Sequence, residues 1–194
     1  MTKPYIVTLP EQLMAIASPG RDSLTDAVDV MGPCTVSDLA RFTGRSRNAL
    51  YYHIKALRDC GLLIETRRSG EGKKTTAYYD VPGRPMIVRF NLSTPRTRRA
   101  VIALGRSRLR SAARGFTRAC QAGGTVVEGP RRNLWASSRT GWLSGRELEE
   151  VNALLLRLVD MMGRGERRSA SRALHEFTFV LSPTVRRTST SRKD

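Results

Sequence analysis

Cysteine is scarce in this 194-residue chain. Cys34, Cys60 and Cys120 are widely spaced, odd in number and form no C-x-x-C pair, which excludes a disulfide framework. Histidine is scarcer still, with only His53 and His175. Nothing among these five residues has the spacing of zinc ligands, so neither a metal nor a cofactor is expected. No apolar run approaches the roughly 20 residues that would span a bilayer. The opening Met1-Thr2-Lys3-Pro4-Tyr5 lacks the apolar stretch of a secretion signal. The chain therefore reads as a soluble cytoplasmic protein. There is no P-loop, no nucleophile elbow, no dinucleotide fingerprint and no histidine paired with a plausible nucleophile, so an enzyme is not expected.

Acidic residues are also few. Lys+Arg number 34 against 17 Asp+Glu, giving a net charge of +17, and only five of the cations are lysine. Arginine presents a planar fork that pairs with phosphate oxygens and guanine edges. A basic, arginine-rich chain points to a polyanion, with nucleic acid the usual one. A genome rich in arginine codons would explain arginine over lysine, but not the two-to-one excess of positive charge. Hydrophobic residues make up 40% of the chain, enough to form a core.

No acid occurs between Asp80 and Glu128, and the shift coincides with the turn-rich Val81-Pro82-Gly83-Arg84-Pro85. The expected organisation is α+β. One domain covers 1–81, a second covers 82–183, and a flexible basic tail covers 184–194. In the first domain, Pro10 opens a short helix through Ser18, broken by Pro19-Gly20. Asp22 or Ser23 caps a second, with Leu24, Ala27, Val28 and Met31 on its apolar face. Thr35 starts a third, with Asp38 placed for a capping box, and Gly44 closes it. Ser46 caps a fourth from Arg47 to Cys60, ended by Gly61. A strand over 62–67, a Gly- and Lys-rich turn and a return strand over 75–81 complete a hairpin.

A helix, a glycine-containing turn, a second helix and a basic hairpin make a helix-turn-helix with a wing. At about 100° per residue, Ala49, Leu50, His53, Ile54 and Leu57 share one apolar arc of the fourth helix. Asn48, Tyr51, Tyr52 and Lys55 project on the other side, beside Arg47. These types suit a groove: asparagine pairs with adenine, arginine with guanine, and Lys55 and Arg58 neutralise phosphates. His53, on the inner flank, reads as a packed residue more readily than as a ligand or base reader. Arg67, Arg68, Lys73 and Lys74 flank the hairpin tip, either gripping DNA or simply solvated.

The segment Thr35-Val36-Ser37-Asp38-Leu39-Ala40 followed by Ser46 to Leu63 resembles the winged-helix domain of ArsR-like bacterial transcriptional regulators. The most specific part is Tyr51-Tyr52-His53-Ile54-Lys55-Ala56-Leu57 with Gly61-Leu62-Leu63. The likeness covers roughly residues 11 to 81. It implies a homodimer on double-stranded DNA with inverted half-sites, and it matches Ser46, Arg47, Asn48, Tyr51, Tyr52 and Lys55 to DNA-facing positions. Metal sensing is not implied, because Thr35 and Ser37 stand where metal-sensing members carry thiolates.

In the second half, Met86–Phe90 reads as a strand and Pro95 opens a helix to about Gln121. Ile102, Leu109, Ala113, Phe116 and Cys120 share one arc of that helix, beside a stripe of Arg99, Arg106, Arg110, Arg114 and Arg118. The stripe could touch DNA backbone, face solvent, or pair with acids of a partner helix. Short strands are expected over 124–128, 133–143 and 173–181. A helix opened by Ser144-Gly145-Arg146-Glu147 is expected to bury Leu148, Val151, Leu154, Leu155, Leu158 and Met162. This order suits a ferredoxin-like domain for dimerisation, effector binding or both. Trp135, Trp142, Phe116, Phe177 and Phe179 would line a small-molecule pocket or serve as ordinary core. The competing readings are a protein-docking winged helix and a non-specific nucleic-acid binder.

Overall fold

The computed structural model describes residues 3–70, 75–163 and 173–184. It is an α+β structure in the element order β1 (Tyr5–Val7), α1 (Pro10–Ile16), α2 (Pro19–Met31), β2 (Cys34–Thr35), α3 (Val36–Thr43), α4 (Arg47–Asp59), β3 (Ile64–Ser69), β4 (Thr76–Asp80), β5 (Met86–Val88), α5 (Pro95–Gln121) and α6 (Gly145–Gly163).

Local signals set most boundaries. Proline at N1 costs nothing, because the first N–H groups of a helix have no intrahelical partner. Pro19 therefore starts α2 instead of merely ending α1, with Ser18 as N-cap; the expected cap at Asp22 or Ser23 lies four or five residues too late. The capping box forms at α3: Asp38 N donates to Thr35 Oγ1 at 3.2 Å and Thr35 N donates to the Asp38 carboxylate at 3.0 Å. Donation from the Thr35 hydroxyl and backbone, helped by Arg41, holds the Asp38 carboxyl below its usual range. Gly44 closes α3 in the left-handed region at φ 70°, where a side chain would be strained.

The core gathers Leu13, Ile16, Leu24, Val28, Leu39, Leu50, Ile54, Leu57, Leu62 and Leu63, all essentially inaccessible. One apolar stripe from each of the first four helices is thus buried together. Each such side chain contributes about 1.5–3 kcal/mol. A three-stranded antiparallel sheet in the order β2-β4-β3 flanks them. Arg84 ties β4 to the end of α2. Its guanidinium pairs with both oxygens of Asp80 and with Asp29, and donates to the Val28 carbonyl at 3.2 Å.

The chain beyond Pro82 returns to this core. β5 pairs in parallel with β1, a strand with no clear sequence signal. Helix α5 lies along α1 and touches α2. Its buried face is Thr97, Ala100, Leu104 and Ser107, not the expected arc from Ile102 to Cys120. Small residues on that face let the helix approach closely, and Arg108 locks it through a forked pair with buried Asp22 at 3.2 and 3.3 Å. The arc of Ile102, Leu109 and Phe116 stays exposed on the opposite side.

The remaining expectations for the second half need correction. Residues 124–128, 133–143 and 173–181 are not strands, so no ferredoxin-like sheet is formed by the described residues. Helix α6 forms with its Ser144–Glu147 capping box, but none of its residues is buried. The aromatic residues proposed as pocket or core are exposed, Trp142 at 84%. Apolar periodicity gave the helix; it could not say whether anything within the chain would cover it. Most of the expected 184–194 tail lies outside the described residues. No helix among the described residues is long and apolar enough to cross a membrane.

Candidate nucleic-acid interface

Helix α4 is held from beneath and open above. Leu50, Ile54 and Leu57 are buried, and His53 is half-buried against α2. The turn preceding α4 is clamped by Arg45, which donates to the Gly20 carbonyl at 2.8 Å and to Ser23 Oγ at 3.0 Å. Sequence reasoning missed this residue, because its partners lie more than 20 positions away on α2. Gly20 itself gives His53 room: a Cβ there would stand 3.2 Å from His53 Nε2. Burial, then the Arg45 and Arg21 charges, push the imidazole below its ordinary range, favouring the neutral ring. His53 faces inward as a packed residue. Ala49, by contrast, is exposed in the first turn, outside the buried arc where the wheel put it.

The outer face carries Arg47, Asn48, Tyr51 and Tyr52, all exposed. Tyr51 and Tyr52 keep 54% and 69% of their surface. Among the described residues, the side chains of Arg47, Asn48 and Tyr51 make no hydrogen bond or ion pair. Large polar side chains held out on a rigid helix, with their hydrogen-bonding groups unspent, are available to a partner. The other expected contacts are engaged within the chain. The Ser46 hydroxyl caps α4, accepting from Ala49 N at 3.4 Å. Lys55 Nζ pairs with Asp59 at 2.7 Å, one turn on. Such exposed i,i+4 pairs are worth only about 0.3–0.5 kcal/mol, so Lys55 is readily redirected.

A second basic group lies on the β3–β4 hairpin. Register places Arg67 opposite Tyr78 across a bulge between Glu65 and Arg67, and the guanidinium stacks 3.9 Å from the Tyr78 ring centre. Glu65 is the organiser: it pairs with Arg68 on its own strand and with Arg58 on α4 at 3.4 Å. The Arg68 hydrogen bond holds the Glu65 carboxyl below its usual range, with Arg58 adding to the effect. Arg58 also lies over the Tyr79 ring. Glu65 thus joins α4 to the hairpin, a link visible only once the strand register is known. Lys73 and Lys74 lie outside the described residues.

Helix α2, the α3–turn–α4 unit and the start of the hairpin coincide with one known family. Residues 21–67 match the family of helix-turn-helix domains. No curated protein matches the chain. A helix-turn-helix domain supports DNA as a partner and regulation as the broad role. Cys34, next to the α3 cap, has no part in such a site. It is buried in β2, its thiol pushed up to about 12 by burial and then by the Asp38 and Asp80 charges. It stays protonated and unreactive.

Proposed function

We propose that this protein is a sequence-specific, dimeric winged-helix transcriptional regulator of ArsR-like type, without metal sensing. Helix α4 enters the major groove, with Arg47, Asn48, Tyr51 and Tyr52 reading or flanking base edges. Ser46, Lys55 and Arg58 lie at the backbone, and Arg67, Arg68, Lys73 and Lys74 form a basic wing along phosphate or minor groove. Two copies bind an inverted repeat with half-site centres about 34–36 Å apart, or a multiple of that. Residues 82–183 serve dimerisation. The observation that carries this reading is the unpartnered outer face of α4, braced from below inside a helix-turn-helix domain.

The test begins with selection of bound fragments from random or genomic duplex DNA at moderate salt. An enriched inverted motif is expected. Asn48→Ala is expected to weaken the selected site by about 1–3 kcal/mol and random duplex much less. Arg67→Ala is expected to weaken all sequences and to reduce the salt slope by about one. Glu65→Gln, which releases Arg58 and Arg68, should steepen that slope. If random duplex competes as well as any selected site, the protein is a non-specific nucleic-acid binder. If no DNA is held, α4 is a protein-docking surface.

A further inference from the structure

Two apolar seams remain uncovered among the described residues. On α5, Ile102, Leu109, Ala113, Phe116 and Cys120 run along the side opposite the one packed on α1, with Leu109 50% and Phe116 39% exposed. Their spacings are seven, four, three and four. On α6, Leu148, Val151, Leu155, Leu158 and Met162 follow a strict three-four-three-four spacing. Both are a and d patterns of helices that pack side by side at about 20°. Helix α6 makes no extended packing contact with any other element among the described residues. In proteins most of a helix's stability comes from packing of its apolar face, and no residue of α6 is buried.

We propose that a second copy of this chain covers both seams, with α6 of each copy lying along the outer seam of α5 of the other. Charge selects this pairing. Helix α5 carries eight arginines and no acid, so two α5 helices facing each other would set +8 against +8. Helix α6 carries four acids against two arginines, net −2, and is attracted to α5. Pairing α6 with α6 would leave the α5 seam bare. Exchange covers all four seams in one closed two-fold interface. It also gives the α5 arginines acidic partners, the third of the roles open to that stripe. The proposal deepens the two-copy part of the proposed function and rests on it. It makes no demand on DNA.

The full chain is tested without DNA. Light scattering is expected to give twice the chain mass of 21.6 kDa. Leu155→Glu combined with Leu158→Glu should weaken association at least about 100-fold, since each copy loses two apolar anchors of the seam and sets two charges in their place. Cross-linking keeps the test decisive if that variant misfolds. One tagged chain keeps Cys120. A second, differently tagged chain carries Cys120→Ser and a single new cysteine at 148, 155 or 162. Both carry Cys60→Ala. After mixing, a short bis-maleimide should join the two tags through at least one α6 position. A dimer in which no α6 position joins to Cys120 of the other chain overturns the exchange, while leaving two-copy DNA binding intact. A chain that light scattering finds as a single copy, with no link formed between the two tags, overturns both.

Discussion

Arg84 offers the sharpest test of how the hairpin is fixed to the helices. Its side chain is 19% exposed and that of Asp80 only 12%. The guanidinium holds both Asp80 oxygens, Asp29, and the carbonyls of Val28 and Asp29 at the end of α2. Arg84→Met keeps most of the apolar stem and removes every one of these bonds. Asp80 would then keep Val81 N, at 2.8 Å, as its donor, and would be left as a buried, uncompensated carboxylate. Breaking a buried pair costs about 3–5 kcal/mol. Partial exposure of Asp29 and Arg84 screens some of this, so about 2–4 kcal/mol is expected. Urea unfolding of the two proteins at pH 7 measures it. Asp80→Asn added to Arg84→Met should cost less than the two single changes together, because the stranded charge is gone. A loss below about 0.5 kcal/mol for Arg84→Met, or strict additivity in the cycle, would refute the argument that this pair anchors β4 to α2.

Four further outcomes are expected. Gly83→Ala should destabilise by about 1–3 kcal/mol, because its Cβ would run into the Lys3 backbone carbonyl. Gly105→Ala, with open space around the added methyl and a helical backbone, should stabilise by about 0.5–1 kcal/mol; equal signs in thermal unfolding would contradict this. The fold depresses the pKa of His53, so its contribution is fully present above 6.5 and is lost as pH falls through the lower folded value. The wild-type minus His53→Gln stability difference should therefore decline from pH 7 to 5, and a flat difference would show no coupling. Finally, a thiol reagent should modify buried Cys34 only on unfolding, which mass spectrometry of the labelled peptides would check.

The amino-acid sequence by itself determined what depends on neighbours within a turn or two. Thr35 with Asp38, Gly44, Ser46 and Ser144 with Glu147 mark helix ends because caps are local hydrogen bonds, and the helices appear where those residues put them. Leu50, Ile54 and Leu57 were legible as the inner face of α4, and Asn48, Tyr51 and Tyr52 as its outer one, because three residues make nearly a full turn. Only the tertiary structure decided the matters that rest on distant partners. It chose the small-residue face of α5 over the more hydrophobic one, because closeness of approach to α1 and the Arg108–Asp22 lock outweigh apolar area. It paired β1 with β5, and brought Glu65 between Arg58 and Arg68 through strand register. Among the described residues it also left α6 without cover, which periodicity cannot foresee: an apolar stripe states that burial is wanted, and geometry alone states by what.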